Sequence, residues 1–112
     1  MTVRAQTVLW VTQRASAAVL ALCVTVHLAT MIYAIRGGLS ATEILSRTRG
    51  NLAWLAFYAL FVLAVALHAP IGLRSILEEW LGWRGLRRDL FLLALALLLA
   101  GLGMRAVLGV FL

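Results

Sequence analysis

The chain has 112 residues, 64% of them hydrophobic and only 12% charged, with a mean hydropathy of +1.03; ordinary soluble domains are roughly 45–50% apolar. A soluble domain of this length has no interior large enough for that apolar surface. The single cysteine, Cys23, excludes an intrachain disulfide scaffold, and low charge with abundant Leu and aromatics excludes disorder. The class that remains is an all-α integral membrane protein of one small domain. The net charge of +6 comes from arginines that stand between or at the ends of apolar runs. That placement reads as membrane topology and contact with anionic headgroups, and not as a nucleic-acid footprint.

Crossing ~30 Å of hydrocarbon takes about 20 apolar residues in a helix. Three runs qualify, which predicts a three-helix bundle: helix I over residues 8–35, helix II over 52–79 and helix III over 86–111. The first run is too long for a secretory signal. Leu20-Ala21-Leu22-Cys23 has the outline of a lipoprotein cleavage box, but Leu22 is too large for it, so an uncleaved helix is expected. Gly37 and Gly38 stop helix I. Ser40 followed by Glu43 is a capping box, predicting a short interfacial helix over Ser40–Thr48 between helices I and II. The second loop is expected over Leu81–Asp89.

With three spans, the N-terminus and the second loop share a side. Arg4, Arg14, Arg74, Arg84, Arg87 and Arg88 lie there, against Arg36, Arg47, Arg49 and a snorkelling Arg105 on the other. The excess favours a cytoplasmic N-terminus, with Arg87 and Arg88 setting topology.

An ionisable side chain inside a span is costly, and therefore points to function. His27 lies about 7 Å beyond the middle of helix I and His68 about 5 Å inside the middle of helix II, at 1.5 Å per residue. The two imidazoles then differ by ~12 Å in depth and cannot clamp one iron. Gln13, Ser16, Leu20, Cys23, Thr30 and Ala34 share His27's face, a small and polar stripe that must pack against helices or a cofactor. Gly72, Ser75 and Glu79 follow His68 on its face. Gly72 leaves room for a flat group or a close backbone, and Pro70 removes a hydrogen bond beside the histidine. Three readings stay open for each histidine: a hydrogen bond to a neighbouring helix, proton handling, or axial ligation of haem, which needs a buried imidazole with flat space beside it. Two ligands at different levels would each need a partner ligand from a second subunit or a second copy of the chain.

The stretch His68-Ala69-Pro70-Ile71-Gly72-Leu73-Arg74-Ser75-Ile76-Leu77-Glu78-Glu79-Trp80 resembles the second helix of the membrane anchor subunits of succinate dehydrogenase and fumarate reductase, respiratory complex II. Trp10-Val11-Thr12-Gln13-Arg14-Ala15-Ser16-Ala17 is similar to the start of helix I in that family, and the likeness extends over the chain. The resemblance implies a multi-pass subunit of a bacterial-type inner membrane that ligates haem b, one or two shared with a partner anchor, and forms part of a quinone site. It implies His68 as the axial ligand near the cytoplasmic face and His27 as a second ligand of the two-haem arrangement. Arg14, Ser16, Gln13, Trp10, Glu79 and Trp80 are the quinone-site candidates, and Arg74 and Arg14 the candidates for a haem propionate. The chain departs from the family pattern at Trp80, where a tyrosine is expected, and at Trp10, where a serine is expected. Succinate chemistry falls to a flavoprotein subunit and an iron–sulfur subunit, because no Gly-rich dinucleotide loop is present here. Two alternatives are a haem-free quinone-binding anchor of the same complex and a cytochrome b subunit of another membrane dehydrogenase. A small multidrug-type transporter is a disfavoured rival, since that class wants an acidic residue deep in a span and all four acidic residues lie in loops or at helix ends.

Overall fold

The computed structural model describes residues 2–112 and is entirely helical in its regular elements: α1 (Val3–Arg36), α2 (Ala41–Thr48), α3 (Leu52–Leu81) and α4 (Leu86–Phe111). α1, α3 and α4 are each long and apolar enough to cross a membrane. The long dimension of 49 Å exceeds the ~40–45 Å of a bilayer with its headgroups. Large apolar side chains such as Leu22, Leu63 and Leu97 point outward over most of the surface. In water such a surface would be an aggregation liability, whereas in lipid it is the required coat.

Local chemistry sets each boundary. α1 begins at Val3, ahead of the expected start near Val8, because Thr2 caps it by accepting the Ala5 N–H at 3.1 Å. Gly38, at φ 64°, turns the chain out of α1. The predicted capping box starts α2: Ser40 Oγ accepts from Glu43 N at 3.2 Å and the Glu43 carboxylate reaches back to Ser40. Asn51 caps α3 through bonds from Ala53 N and Trp54 N. α3 runs unbroken through buried Pro70, and ends where Gly82 takes φ 63° and Trp83 N–H bonds the Leu77 carbonyl. The second loop is therefore only residues 82–85. Arg87, Arg88 and Asp89, which fell both in the expected loop and in the expected third helix over 86–111, lie in the first turn of α4, where Asp89 suits the positive end of the helix dipole.

α3 is the middle helix and packs against both α1 and α4, which make no substantial contact with each other. Close approach rests on small residues: Ser16 and Cys23 on α1, Ala64 and Ala66 on α3, and Gly103 on α4. A Cβ built at Gly103 would stand 2.6 Å from Val62 Cγ1, so only glycine permits this crossing. The α2–α3 turn is tied to the end of α4 by Thr48 Oγ1 donating to the Val110 carbonyl (2.8 Å) and Gly50 N–H to the Phe111 carbonyl (2.9 Å). Two of the carbonyls that end a helix without intrahelical partners are thereby satisfied.

Candidate functional site

The stripe predicted on α1 does face α3. Ser16 and Cys23 are buried, and Gln13, Leu20, His27, Thr30 and Ala34 are all partly covered. It meets the two histidine levels at separate points. Ser16 lies against His68, Oγ to Nδ1 at 3.4 Å, and His27 lies against Tyr58, Nδ1 to Oη at 3.1 Å. Ser16 and His27 are eleven residues apart on α1, and Tyr58 and His68 ten apart on α3, so the levels differ by about 15 Å at 1.5 Å per residue. This exceeds the ~12 Å expected from the sequence, which took the middles of the two helices to lie at one depth, whereas the Ser16–His68 and His27–Tyr58 contacts set their register.

Below His68, toward the N-terminus of α1, lies a cavity of about 320 Å³. Gln6, Leu9, Trp10 and Gln13 of α1 face Ile71, Arg74, Ser75 and Glu78 of α3 across it. Gln13 Oε1 is buried without a hydrogen-bond partner. Its amide nitrogen lies close to where a side chain at Gly72 would begin, 3.0 Å from the position of a Cβ there. The Gln13 amide end therefore stands in contact distance of the gap that Gly72 leaves beside His68.

Of the quinone-site candidates, Trp10 and Gln13 thus come together, beside Arg74, a haem-propionate candidate, and the remaining quinone-site candidates do not join them on the wall. Ser16 is one turn deeper and only 5% exposed. Arg14 is exposed and lies over the outer face of Trp10, guanidinium carbon to ring centroid 5.1 Å. Glu79 is exposed and Trp80 is 81% exposed, both turned away from the cavity. The face of α3 that meets α1 at this end runs through positions 71, 74, 75 and 78, because crossing helices shift their contact line around the cylinder. A fixed stripe drawn from His68 leads to Glu79, whereas the cavity carboxylate is Glu78.

Glu78 also brings in a residue that charge counting assigned to topology. Arg88, 5% exposed, ion-pairs with Glu78 and holds Asp89 Oδ1 through Nε (3.0 Å) and Nη2 (2.9 Å). A buried guanidinium persists only when its donors are satisfied. The clamp fastens the start of α4 to α3 beside the inner cavity. The sequence signal for it was the run Leu86-Arg87-Arg88-Asp89 directly after Gly85, which is a helix start as much as a loop.

The outer level is different in kind. The Tyr58 and Phe61 rings meet His27 edge-on, each with centroids 5.7 Å away, and Trp54 and Phe57 extend the cluster. A cavity of about 590 Å³ opens beside His27 between α1 and α4, floored by Phe61, Val62 and Val65 and reaching Gly103 and Val107. A smaller space of about 290 Å³ adjoins it under α2, where Arg47 donates to the Tyr33 hydroxyl at 3.4 Å. That bond holds the Arg47 guanidinium pKa above its ordinary value.

Three crossing helices, a capped interfacial helix and intramembrane histidines at two levels are the frame of a membrane anchor, and sequence comparison agrees. The sequence model of the succinate dehydrogenase/fumarate reductase transmembrane subunit family matches residues 1–104. The chain belongs to that family. It is a multi-pass transmembrane subunit of a succinate dehydrogenase/fumarate reductase complex and works with the other subunits of that assembly. Among curated proteins and among solved structures, none matches this anchor subunit.

Proposed function

We propose that this anchor subunit ligates haem b through His68 and His27 and forms part of the quinone site of a succinate:quinone oxidoreductase, passing electrons between the iron–sulfur subunit and membrane quinone. It would sit in a bacterial-type inner membrane with its N-terminus cytoplasmic, beside a flavoprotein subunit and an iron–sulfur subunit. A second anchor, or a second copy of this chain, would supply the opposite haem ligands.

The observation that carries the reading is the placement of His68 directly above a polar cavity on the α1–α3 seam. The residues present suit both groups. Each histidine has its Nδ1 against a hydroxyl of the neighbouring helix, an arrangement in which the other ring nitrogen, Nε2, is the one offered to a metal. The apolar cleft beside His27 has the size and lining for a flat hydrophobic group. Haem, when bound, supplies a one-electron carrier whose potential follows from ligation and burial.

The chain's own residues then divide the work. Trp10 and Ile71 would hold the quinone ring, Gln13 and Arg74 would orient its oxygens, and Glu78 would exchange the proton that accompanies the electron. Arg88 keeps the Glu78 carboxylate beside the cavity. Arg14 and Trp80, exposed at the same end, face the neighbouring subunits.

The deciding experiment is a dithionite-reduced minus oxidised spectrum of the purified complex with haem quantified per chain. A b-type signal is expected, one component absent in His68→Ala and a second absent in His27→Ala. One haem insensitive to His27→Ala would assign His27 to packing against Tyr58. An intact complex without any haem signal would overturn the cytochrome reading and leave a haem-free quinone-binding anchor.

A further inference from the structure

We infer that Ser16 is the positioning residue that fixes the tautomer of His68, presenting Nε2 as a bare ligand nitrogen; the inference rests on the haem reading above. The geometry is a three-atom relay on the α1–α3 seam. Ser16 Oγ lies 3.1 Å from the Gln13 carbonyl oxygen and 3.4 Å from His68 Nδ1. A serine hydroxyl has one proton to donate. The Gln13 carbonyl can only accept, so the Ser16 proton goes there, and the contact with His68 is completed by a proton on Nδ1. Ser16 is only 5% exposed, which leaves water little access to reverse the assignment. A neutral imidazole with its proton on Nδ1 carries its lone pair on Nε2.

The outer histidine lacks this constraint. The Tyr58 hydroxyl, 3.1 Å from His27 Nδ1, has no second partner among the described residues and can serve that nitrogen as donor or as acceptor. A fixed tautomer is thus a property of the inner level alone.

An Nδ1–H that donates to an oxygen makes the imidazole more basic and stabilises the oxidised metal; outer partners of this kind are worth roughly 10- to 100-fold in metal affinity. Ser16→Ala removes a single oxygen and Ser16→Thr keeps the hydroxyl, so the pair separates hydrogen bonding from volume. Both are to be measured in the whole detergent-purified complex by haem retention on dilution, redox potentiometry and low-temperature EPR of the oxidised haem, with His68→Ala marking the inner component. Ser16→Ala is expected to release the inner haem about tenfold more readily and to raise its midpoint potential, with the outer component unchanged and Ser16→Thr close to wild type. An inner haem unaffected by Ser16→Ala would overturn the inference, as would a lowered potential or equal shifts in both variants. Absence of haem from the wild-type complex would overturn the cytochrome reading itself, which separates the two failures.

Discussion

The inner and outer ends of the α1–α3 seam are built alike and furnished differently. At each, a histidine on one helix meets a hydroxyl on the other: Ser16 with His68, Tyr58 with His27. Around the inner pair stand Gln13, Arg74 and Glu78, with Arg88 buried behind them. Around the outer pair stand Trp54, Phe57 and Phe61 and a cleft that is almost wholly apolar. The charges at the inner end are held near a helix start and compensated across helices, the form in which ionised groups are tolerated next to a bilayer. A site that exchanges protons with a carrier needs such groups. One that only seats a flat apolar carrier does not, and its polar requirement is met by one tyrosine.

The largest break in this contrast should come from Arg88. Arg88→Met removes the guanidinium and strands the Glu78 carboxylate, while Glu78→Gln leaves Arg88 still bonded to Asp89. Thermal unfolding of the detergent-purified complex is expected to show a fall of several degrees for Arg88→Met and a clearly smaller one for Glu78→Gln. Equal falls would mean that the pair is not the inner fastening. Next is the crossing that floors the outer cleft. Gly103→Val places a Cβ in the space of Val62, and overpacking of this kind costs about 1–3 kcal/mol. Val62→Ala in the same chain should recover part of the loss, a coupling that a double-mutant cycle measures. Independent, additive effects would show that α4 has another way to seat on α3.

The architecture was readable because its causes are local. Twenty-residue apolar runs, the Ser40–Glu43 capping box and the glycine stops each act within a few residues, and each appears where expected, apart from the earlier start that Thr2 gives α1. The inward face of α1 was readable too, since small and polar residues cannot face lipid. What escaped were contacts set by how two helices cross. The stripe from His68 pointed to Glu79, while the crossing brings Glu78 to the cavity. Gly72 suggested room for a flat group or a close backbone, and it was the approach of the Gln13 amide from the other helix that the sequence did not show. Arg88 looked like one more topological charge even with a third helix expected from residue 86, because only the packing of α4 on α3 puts it beside Glu78.

Two milder substitutions sharpen the comparison. Tyr58→Phe removes the hydroxyl that meets the His27 ring and keeps the aromatic ring, a loss of about 0.5–1.5 kcal/mol. If His27 ligates haem and the inner cavity takes quinone as proposed, its mark appears in the outer haem component with quinone kinetics unchanged; altered quinone kinetics would show that the two ends are coupled.

The finest test is Gly72→Ala. The added methyl would begin 3.0 Å from Gln13 Nε2, the far end of a flexible side chain, so Gln13 shifts by a few tenths of an ångström and the helices stay in place. The stability cost should be correspondingly small, well below the ~1–3 kcal/mol of a true core overpacking. Gln13 Oε1, however, is the unpartnered buried oxygen of the inner cavity, and it moves with the amide. If Gln13 orients quinone, KM for quinone rises severalfold while kcat and both haem components stay near wild type. A pure stability loss with KM unchanged would return Gln13 to packing and leave Arg74 and Glu78 as the polar groups of the inner site. The same substitution therefore separates a glutamine that fills a gap from one that reads a ligand, because only the second role depends on where its oxygen lies.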